Sequence, residues 1–511
     1  MRTNKKQNFL NIISNLFALV IQFAINFFVV PKIVNNLGTE AVGYVNLSND
    51  IVGYFSIVTV VFNSVAGRFI SIEINNNNYS KASEYLNSVI LANGIICSAI
   101  ALFGAFFIPN IDSVLNISAN YLNEVKITFL LTWITSIVSI MASVFTIGTF
   151  ATNKLDINAV RNIISYLVRI TIIIALFSFL PLKVYFLPIA TLASTIFLAV
   201  ANINITKKYL PNLKVNIKLA KKSSIKEIAA SGIWMSFTSL SNILMRNIDT
   251  LLANVLFNQT MMGNLSTART VPNAVTTIIN SIGTVFTPTF VSLYSQNKHH
   301  DLVEEAKNSI RINGLIIIVP VSGFIAFSKP FYNLWLPNVD KDTLSLIIFL
   351  STITIIQAYF NSTTMALAQL SVVVNKLKLP VLISFGAGAI NLIVELLLAK
   401  FTDIGIAILV VPSTIIMCLR YVIFNSWYAA KIINTKSKYF YTTILRTLLP
   451  VPLLLAFFYF ISNLFVLNSW IKLIAVAAVC AVIGYAVSAL IIIPKKEIKG
   501  LLLKVKNKIK T

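Results

Sequence analysis

Apolar runs of twenty or so residues follow one another from end to end of the chain, divided by short polar stretches. A run of that length crosses about 30 Å of hydrocarbon as a helix, so the pattern predicts about fourteen membrane spans. The first six lie near residues 9–35, 44–70, 85–109, 123–150, 158–180 and 182–205. Six more lie near 227–256, 264–293, 309–333, 343–370, 380–400 and 404–432, and 442–467 and 469–493 close the chain. The expected fold is all-α and polytopic. The polar stretches leave no room for a soluble domain or a large outer loop, so function must reside in the helix bundle.

Charge then sets the topology. Only 11% of the 511 residues are charged and 57% are hydrophobic, whereas soluble domains carry about a quarter charged residues. A net charge of +24 would suit a nucleic-acid partner if it lay on one folded face, but the Lys and Arg sit between the apolar runs. No nucleic-acid partner is expected. The basic residues fall in every second loop: Lys81; Lys154 and Arg161; Lys207 to Lys226; Lys298 and Lys307; Lys376 and Lys378; Lys431, Lys436 and Lys438. Lysines from Lys495 to Lys510 follow in the tail, while the loops around 36–43, 110–122, 257–263 and 467–470 are nearly free of them. By the positive-inside rule both termini are cytoplasmic. Arg2, Lys5 and Lys6 precede a run too long for a signal peptide, which should remain as the first span. The longest link, Thr206–Ile225, has six lysines up to Lys222 and is expected to touch anionic lipid head groups. Cys97, Cys418 and Cys480 stand singly within apolar runs and read as small core residues.

The two halves echo each other. A shift of 220 lays Gly43 on Gly263, Glu84 on Glu304, and Asn93-Gly94 on Asn313-Gly314; a shift of 222 lays Asn153-Lys154-Leu155 on Asn375-Lys376-Leu377. Each repeat holds six spans, an even number, so the repeats run parallel about an axis normal to the membrane, with a substrate site expected at their interface. The expected organisation is a six-helix lobe with its linker over 1–220, a second over 221–440, two extra helices over 441–494, and a basic cytoplasmic tail over 495–511.

Against this apolar background a few charges stand out. An ionised side chain near mid-bilayer costs about 2.5–3.5 kcal/mol even on the lenient insertion scale, so such groups turn toward partners or water-filled cavities. Arg246 and Asp249 are three apart and share a helix face, and Arg269 enters the next span to a similar depth. The shift of 220 sets Asn49, beside Asp50, against Arg269. Asp50, Arg246, Asp249 and Arg269 are therefore expected to line a central cavity, where the planar guanidinium fork suits a phosphate group. The plainer alternative is a structural Arg–Asp pair locking helices. Arg169, Glu395 and Arg420 form a secondary set: Glu395 is a candidate coupling carboxylate for H+ or Na+, or a partner for an arginine. Arg68 is expected to snorkel at the cytoplasmic end of the second span. His299-His300, in the loop before the ninth span, lack further ligands. No catalytic or metal set and no cofactor is expected, and no Gly-x-x-x-x-Gly-Lys loop for ATP is present.

The chain resembles the polysaccharide-biosynthesis flippases of the multidrug/oligosaccharidyl-lipid/polysaccharide exporter superfamily over essentially its whole length. The resemblance is carried by Asn15 with Pro31, Leu37-Gly38 and Gly43-Tyr44, then by Asn153-Lys154-Leu155 leading to Arg161 and Arg169. Asp249, Gly263, Ala268-Arg269, Val271-Pro272 and Pro288 continue it, and the layout of six, six and two spans is more specific than any of these. It implies export of an undecaprenyl-diphosphate-linked oligosaccharide across a bacterial plasma membrane. The implied partners are that lipid, the surrounding membrane lipids, and polysaccharide polymerases and glycosyltransferases. Drug-exporting relatives usually have twelve spans and an acidic residue in the first, which is absent here. A cation-coupled drug exporter of the same fold is the alternative. An enzyme such as a membrane glycosyltransferase would need paired acidic residues near a sizeable outer loop, and none is evident.

Overall fold

The structure, a computed structural model, describes residues 21–494 except 22, 26 and 153, and omits the side chains of 56, 64, 155, 156 and 159. Arg2, Lys5, Lys6, Asn15, Asn153 and the tail over 495–511 lie outside the described residues, as does the Leu155 side chain. The described elements are all helical. They are α1 (Phe23–Leu37), α2 (Thr39–Asn75), α3 (Tyr79–Phe107), α4 (Ala119–Phe150), α5 (Leu155–Phe179), α6 (Phe186–Tyr209) and α7 (Lys222–Phe257). Then come α8 in three pieces, α9 (His299–Trp335), α10 (Lys341–Val373), α11 (Lys378–Phe401), α12 (Gly405–Ile432), α13 (Lys438–Leu464) and α14 (Trp470–Ile492). Thirteen of these, α2 to α14, are long and apolar enough to cross a membrane, among the described residues. Helix α1 is the described part of the expected first span. The chain is a multi-pass membrane protein.

Three differences from the hydropathy pattern have physical causes. Helix α8 is not one run over 264–293 but three pieces, Gln259–Ala268, Thr270–Thr284 and Thr287–Ser295. Pro272 and Pro288 have no N–H to give the carbonyls of Ala268 and Thr284 four residues back, and the helix interrupts at those two places. Helix α9 starts ten residues before 309, which puts His299 and His300 in its first turn and not in a loop. That stretch is amphipathic, with Leu302, Ala306 and Ile310 fully buried at a spacing of four, and average hydropathy misses such a turn. Helix α7 contains two π-helical turns, Ile243–Asn247 and Ala253–Phe257.

The packing divides the chain into two compact units. The first is Met1–Thr267 with Ser384–Ile406, so α7, the start of α8 and most of α11 pack with the first six helices. Its spine is the antiparallel seam of α2 and α7. Gly232 lets α7 rest on the Val61 carbonyl, and Ser236 Oγ donates to Ile57 O at 2.7 Å. Small residues allow such close backbone approach in membranes. Near the lysine-poor end, Gly43 meets Met262 and Gly263, where a Cβ on Gly43 would lie 2.9 Å from Gly263 Cα. Thr260 Oγ1 donates to Glu40 Oε1 at 2.7 Å. Both contacts join residues 220 apart, the repeat shift, as a two-fold axis passing between them would require. At the other end, Ala66, Ile70, Leu86, Val89, Ile147 and Ile228 form a buried apolar cluster.

The second unit is Ala268–Ile383 with Ala407–Thr511. Its core is the long α9–α10 pair, on which α13 and α14 pack through Leu454, Phe458, Leu473 and Cys480. Gly484 admits Phe458 and Val319, and Gly314 admits Thr447 and Thr363. Buried hydroxyls pair across the core: Tyr332 donates to Ser351 at 2.8 Å, and Ser322 and Tyr359 lie 2.9 Å apart. Toward the lysine-rich end Phe290, Ile310, Leu370 and Phe440 make a second cluster.

Candidate functional site

The seam of α2 and α7 fixes the register of the candidate charges in the first unit. Val61 faces Gly232 and Ile57 faces Ser236. Tyr54, one turn further along α2, donates its hydroxyl to Asn247 O at 2.9 Å. Asp50, the next turn, thus comes level with Arg246 and Asp249 on α7. The carboxylates of Asp50 and Asp249 both act electrostatically on Tyr54. Asp50 lies eleven residues in from Thr39, and Arg246 eleven in from Phe257. At 1.5 Å per residue both are about 16 Å below the lysine-poor helix ends.

The π turn Ile243–Asn247 contains Arg246, and a second follows Asp249 by four residues. A π turn adds one residue without adding a regular i→i−4 bond, and such turns occur often at functional sites. Here the Tyr54 hydroxyl bonds one of the carbonyls at that turn. Asp249 is fully buried, while Asp50 and Arg246 are half-buried. A carboxylate buried as Asp249 is lies in low dielectric, where charge–charge terms are strong.

Helix α11 brings a further acid to this unit. Phe385 meets Phe237 edge-on at 6.1 Å, and a Cβ on Gly388 would lie 2.8 Å from Leu244 Cβ. Asn391 and Glu395 are both fully buried, and Asn391 Nδ2 donates to Glu395 Oε1 at 2.7 Å. The sequence sets Glu395 apart as a secondary residue, whereas the structure puts it in the same compact unit as Asp50, Arg246 and Asp249. The i, i+4 spacing of Asn391 and Glu395 is the signal that could have found this pair.

The remaining candidates lie on other helices. Arg269 sits at the interruption between the first two pieces of α8, within the second unit. Arg420 opens the π turn Arg420–Asn425 of α12, also in the second unit, with its guanidinium carbon 5.8 Å from the Tyr421 ring centre. Arg169 is half-buried midway along α5 near Tyr166. Two turns before it lies Arg161, counted from sequence as a loop charge but 7% exposed within the helix, donating to Asn158 Oδ1. Arg68 is exposed near the lysine-rich end of α2. His299 and His300 are exposed, and no group of three or more His, Cys, Asp or Glu able to hold a metal occurs among the described residues.

At the lysine-poor end of the first unit, polar bonds tie the loop before α4 to α2 and α7. Ser118 Oγ donates to Glu40 Oε2 at 2.6 Å, and Ser118 N to the Tyr44 hydroxyl at 2.9 Å. Asn116 and Asn254 exchange three hydrogen bonds of 2.6–2.9 Å. Thr39 Oγ1 donates to Asn264 Oδ1 at 2.8 Å. None of these partners is near the other in sequence, and pattern alone does not reveal them.

Comparison with known proteins agrees with this architecture. The family model described as "Polysaccharide biosynthesis protein" matches residues 9–294. The uncharacterized membrane protein EpsK of Bacillus subtilis (strain 168) is 26% identical over 499 residues, covering 97% of either chain. Among solved structures, the lipid II flippase MurJ in an inward closed conformation aligns with a TM-score of 0.63 at 15% identity, over 94% of this chain and 98% of that one. An inward-facing multidrug resistance MATE family transporter of the MOP superfamily aligns with a TM-score of 0.65 at 12% identity, over 82% and 96%. At these identities the likeness is one of fold.

Proposed function

The chain belongs to the family of polysaccharide biosynthesis proteins, and from that membership we propose that it is a flippase for lipid-linked oligosaccharides. In this reading it moves undecaprenyl-diphosphate-linked units from the inner to the outer leaflet of a bacterial plasma membrane, for surface polysaccharide assembly. The lysine distribution supports cytoplasmic termini. The observation that carries the reading is the family match over 9–294, joined to a fold shared with a lipid II flippase. It is a transporter by this reading and not an enzyme. Polysaccharide polymerases and glycosyltransferases are its proposed partners.

The proposed mechanism is alternating access by rocking of the repeats. Arg246, with Asp50 and Asp249 setting its position, would receive the diphosphate, and Arg269 is proposed as a further phosphate-binding residue. Paired hydrogen bonds from a charged fork hold phosphate oxygens strongly at any working pH. The polyprenyl tail would stay in lipid while the head group crosses. An inside-negative potential favours each outward negative charge by about 2.3 kcal/mol per 100 mV. Glu395, buried and bonded to Asn391, is the proposed coupling carboxylate for H+ or Na+; Arg169 and Arg420 would shape the passage.

Complementation in a bacterium lacking its polysaccharide flippase tests the proposal. Wild type should restore surface polysaccharide, and Arg246→Ala and Arg269→Ala at matched membrane levels should not. Wild type that fails to restore polysaccharide but confers drug resistance would establish the alternative, a cation-coupled exporter of small amphipathic drugs.

A further inference from the structure

The link between the halves is not a free loop. Leu210 and Leu213, 5% and 8% exposed, anchor its start in the apolar cluster with Tyr85, Leu86 and Val89 of α3. Its backbone then folds back along α3. Lys214 N donates to Ser83 Oγ at 3.0 Å, Asn216 N to Asn87 Oδ1 at 2.8 Å, and Lys221 N to Ser88 Oγ at 3.0 Å. Asn87 Nδ2 returns a bond to Lys214 O at 2.8 Å. Glu84 completes the clasp, taking Lys81 Nζ at 2.5 Å, Lys221 Nζ at 2.9 Å and Ser224 Oγ at 2.5 Å.

This clasp sets the depth of the link. Ser83 and Ser88 lie four and nine residues in from Tyr79, about 6 and 13 Å along the helix. From Val89 to Phe107 α3 is free of charge, and those nineteen residues span about 28 Å, the thickness of the hydrocarbon. Residues 214–221 are therefore held beside the last polar turns before the hydrocarbon begins, at head-group level. There the link shows two kinds of exposed side chain. Val215, Ile217 and Leu219 are 56%, 58% and 36% exposed. Lys214, Lys218 and Lys222 are exposed alongside them.

We propose that residues 214–222 form an interfacial strap that inserts Val215, Ile217 and Leu219 into the bilayer surface and binds anionic lipid head groups through Lys214, Lys218 and Lys222. Apolar side chains at the head-group boundary gain burial, and lysines beside them meet lipid phosphates, a pairing that favours an anionic bilayer over a protein surface. The clasp on α3 presents these residues in a fixed arrangement, so little ordering remains to oppose binding.

The full chain with Cys97, Cys418 and Cys480 replaced by Ser tests this, with a bimane label on Ile217→Cys and, as a second site, Val215→Cys. The protein is reconstituted in phosphatidylcholine vesicles with or without phosphatidylglycerol. Quenching by a doxyl lipid labelled near the head group is compared with quenching by aqueous iodide. Doxyl quenching should dominate in anionic vesicles. Lys214→Glu with Lys218→Glu should return the ratio to its phosphatidylcholine value, each lysine contributing roughly fivefold in local lipid affinity. Iodide quenching at both sites, equal in the two vesicle types and without doxyl quenching, would overturn the strap and point to a cytoplasmic protein as occupant.

Discussion

Replacing Gly232 by alanine should separate stability from chain composition and expose the role of the α2–α7 seam. A Cβ there would fall inside the Val61 carbonyl, with the carbonyl carbon at 2.7 Å and Val61 Cα at 3.0 Å. Those are backbone atoms, so no side chain can swing aside. The helices must part by roughly 1 Å to regain ordinary contact, and overpacking of this kind costs about 1–3 kcal/mol. The same movement stretches the 2.7 Å bond from Ser236 to Ile57 O, and an interhelical bond in a membrane is worth about 0.6 kcal/mol on average. A total near 2–3 kcal/mol corresponds to a fall in apparent Tm of about 2–3 °C. Gly94 is the control. It also lies within a helix, but a Cβ there meets nothing within 4 Å, so Gly94→Ala should be neutral or gain up to about 1 kcal/mol from helix propensity. Thermal denaturation in detergent, followed by size-exclusion fluorescence, compares the two. Because the seam sets Asp50 and Tyr54 against Asn247 and Asp249, Gly232→Ala should also lose transport at temperatures where it stays folded. Melting of Gly232→Ala at or above Gly94→Ala would refute the tight seam.

Three further outcomes follow from the geometry. Tyr54→Phe leaves the Asn247 carbonyl of the π turn without its donor, costs about 1 kcal/mol, and should lower both Tm and transport; unchanged transport would remove Tyr54 from the site. Glu84→Gln weakens the clasp on the link, so limited trypsin should cut at Lys214–Lys222 faster than in wild type, while equal cleavage rates would contradict a Glu84-held link. Glu395→Gln and Asn391→Ala should abolish the response of transport to an imposed proton or sodium gradient but spare downhill exchange. A retained gradient response in both would assign coupling elsewhere.

Most of the fold was legible because a bilayer imposes one rule, a long apolar run per span, and α2 to α14 obey it. Gly43 and Gly263, paired in the sequence by the shift of 220, meet closely because neither carries a side chain. The π turns were not legible. Ile243–Asn247 and Arg420–Asn425 contain ordinary helix formers, and a one-residue insertion into the turn is decided by packing on a neighbouring helix, not by the local sequence. The place of α11 in the first unit shows in Gly388 lying against Leu244, a contact 144 residues apart that no periodicity encodes. The burial of Arg161 was hidden for a related reason: with Lys154 and Asp156 just before it the stretch reads as loop, while α5 begins six residues earlier, at Leu155. The link along α3 rests on Ser83, Asn87 and Ser88, which look like any polar helix start until the backbone they bind is seen.

The central claim is that Arg246, held by its acidic neighbours, handles the diphosphate of a lipid-linked sugar. The most direct measurement is flipping of a fluorescent undecaprenyl-diphosphate oligosaccharide in proteoliposomes, read by the fraction of head groups reached by an external quencher. Wild type should expose the labelled head group at a rate that Arg246→Ala and Arg269→Ala reduce to the protein-free level, with Asp249→Ala close behind. Wild-type rates in all three variants, at equal protein per vesicle, would contradict the account.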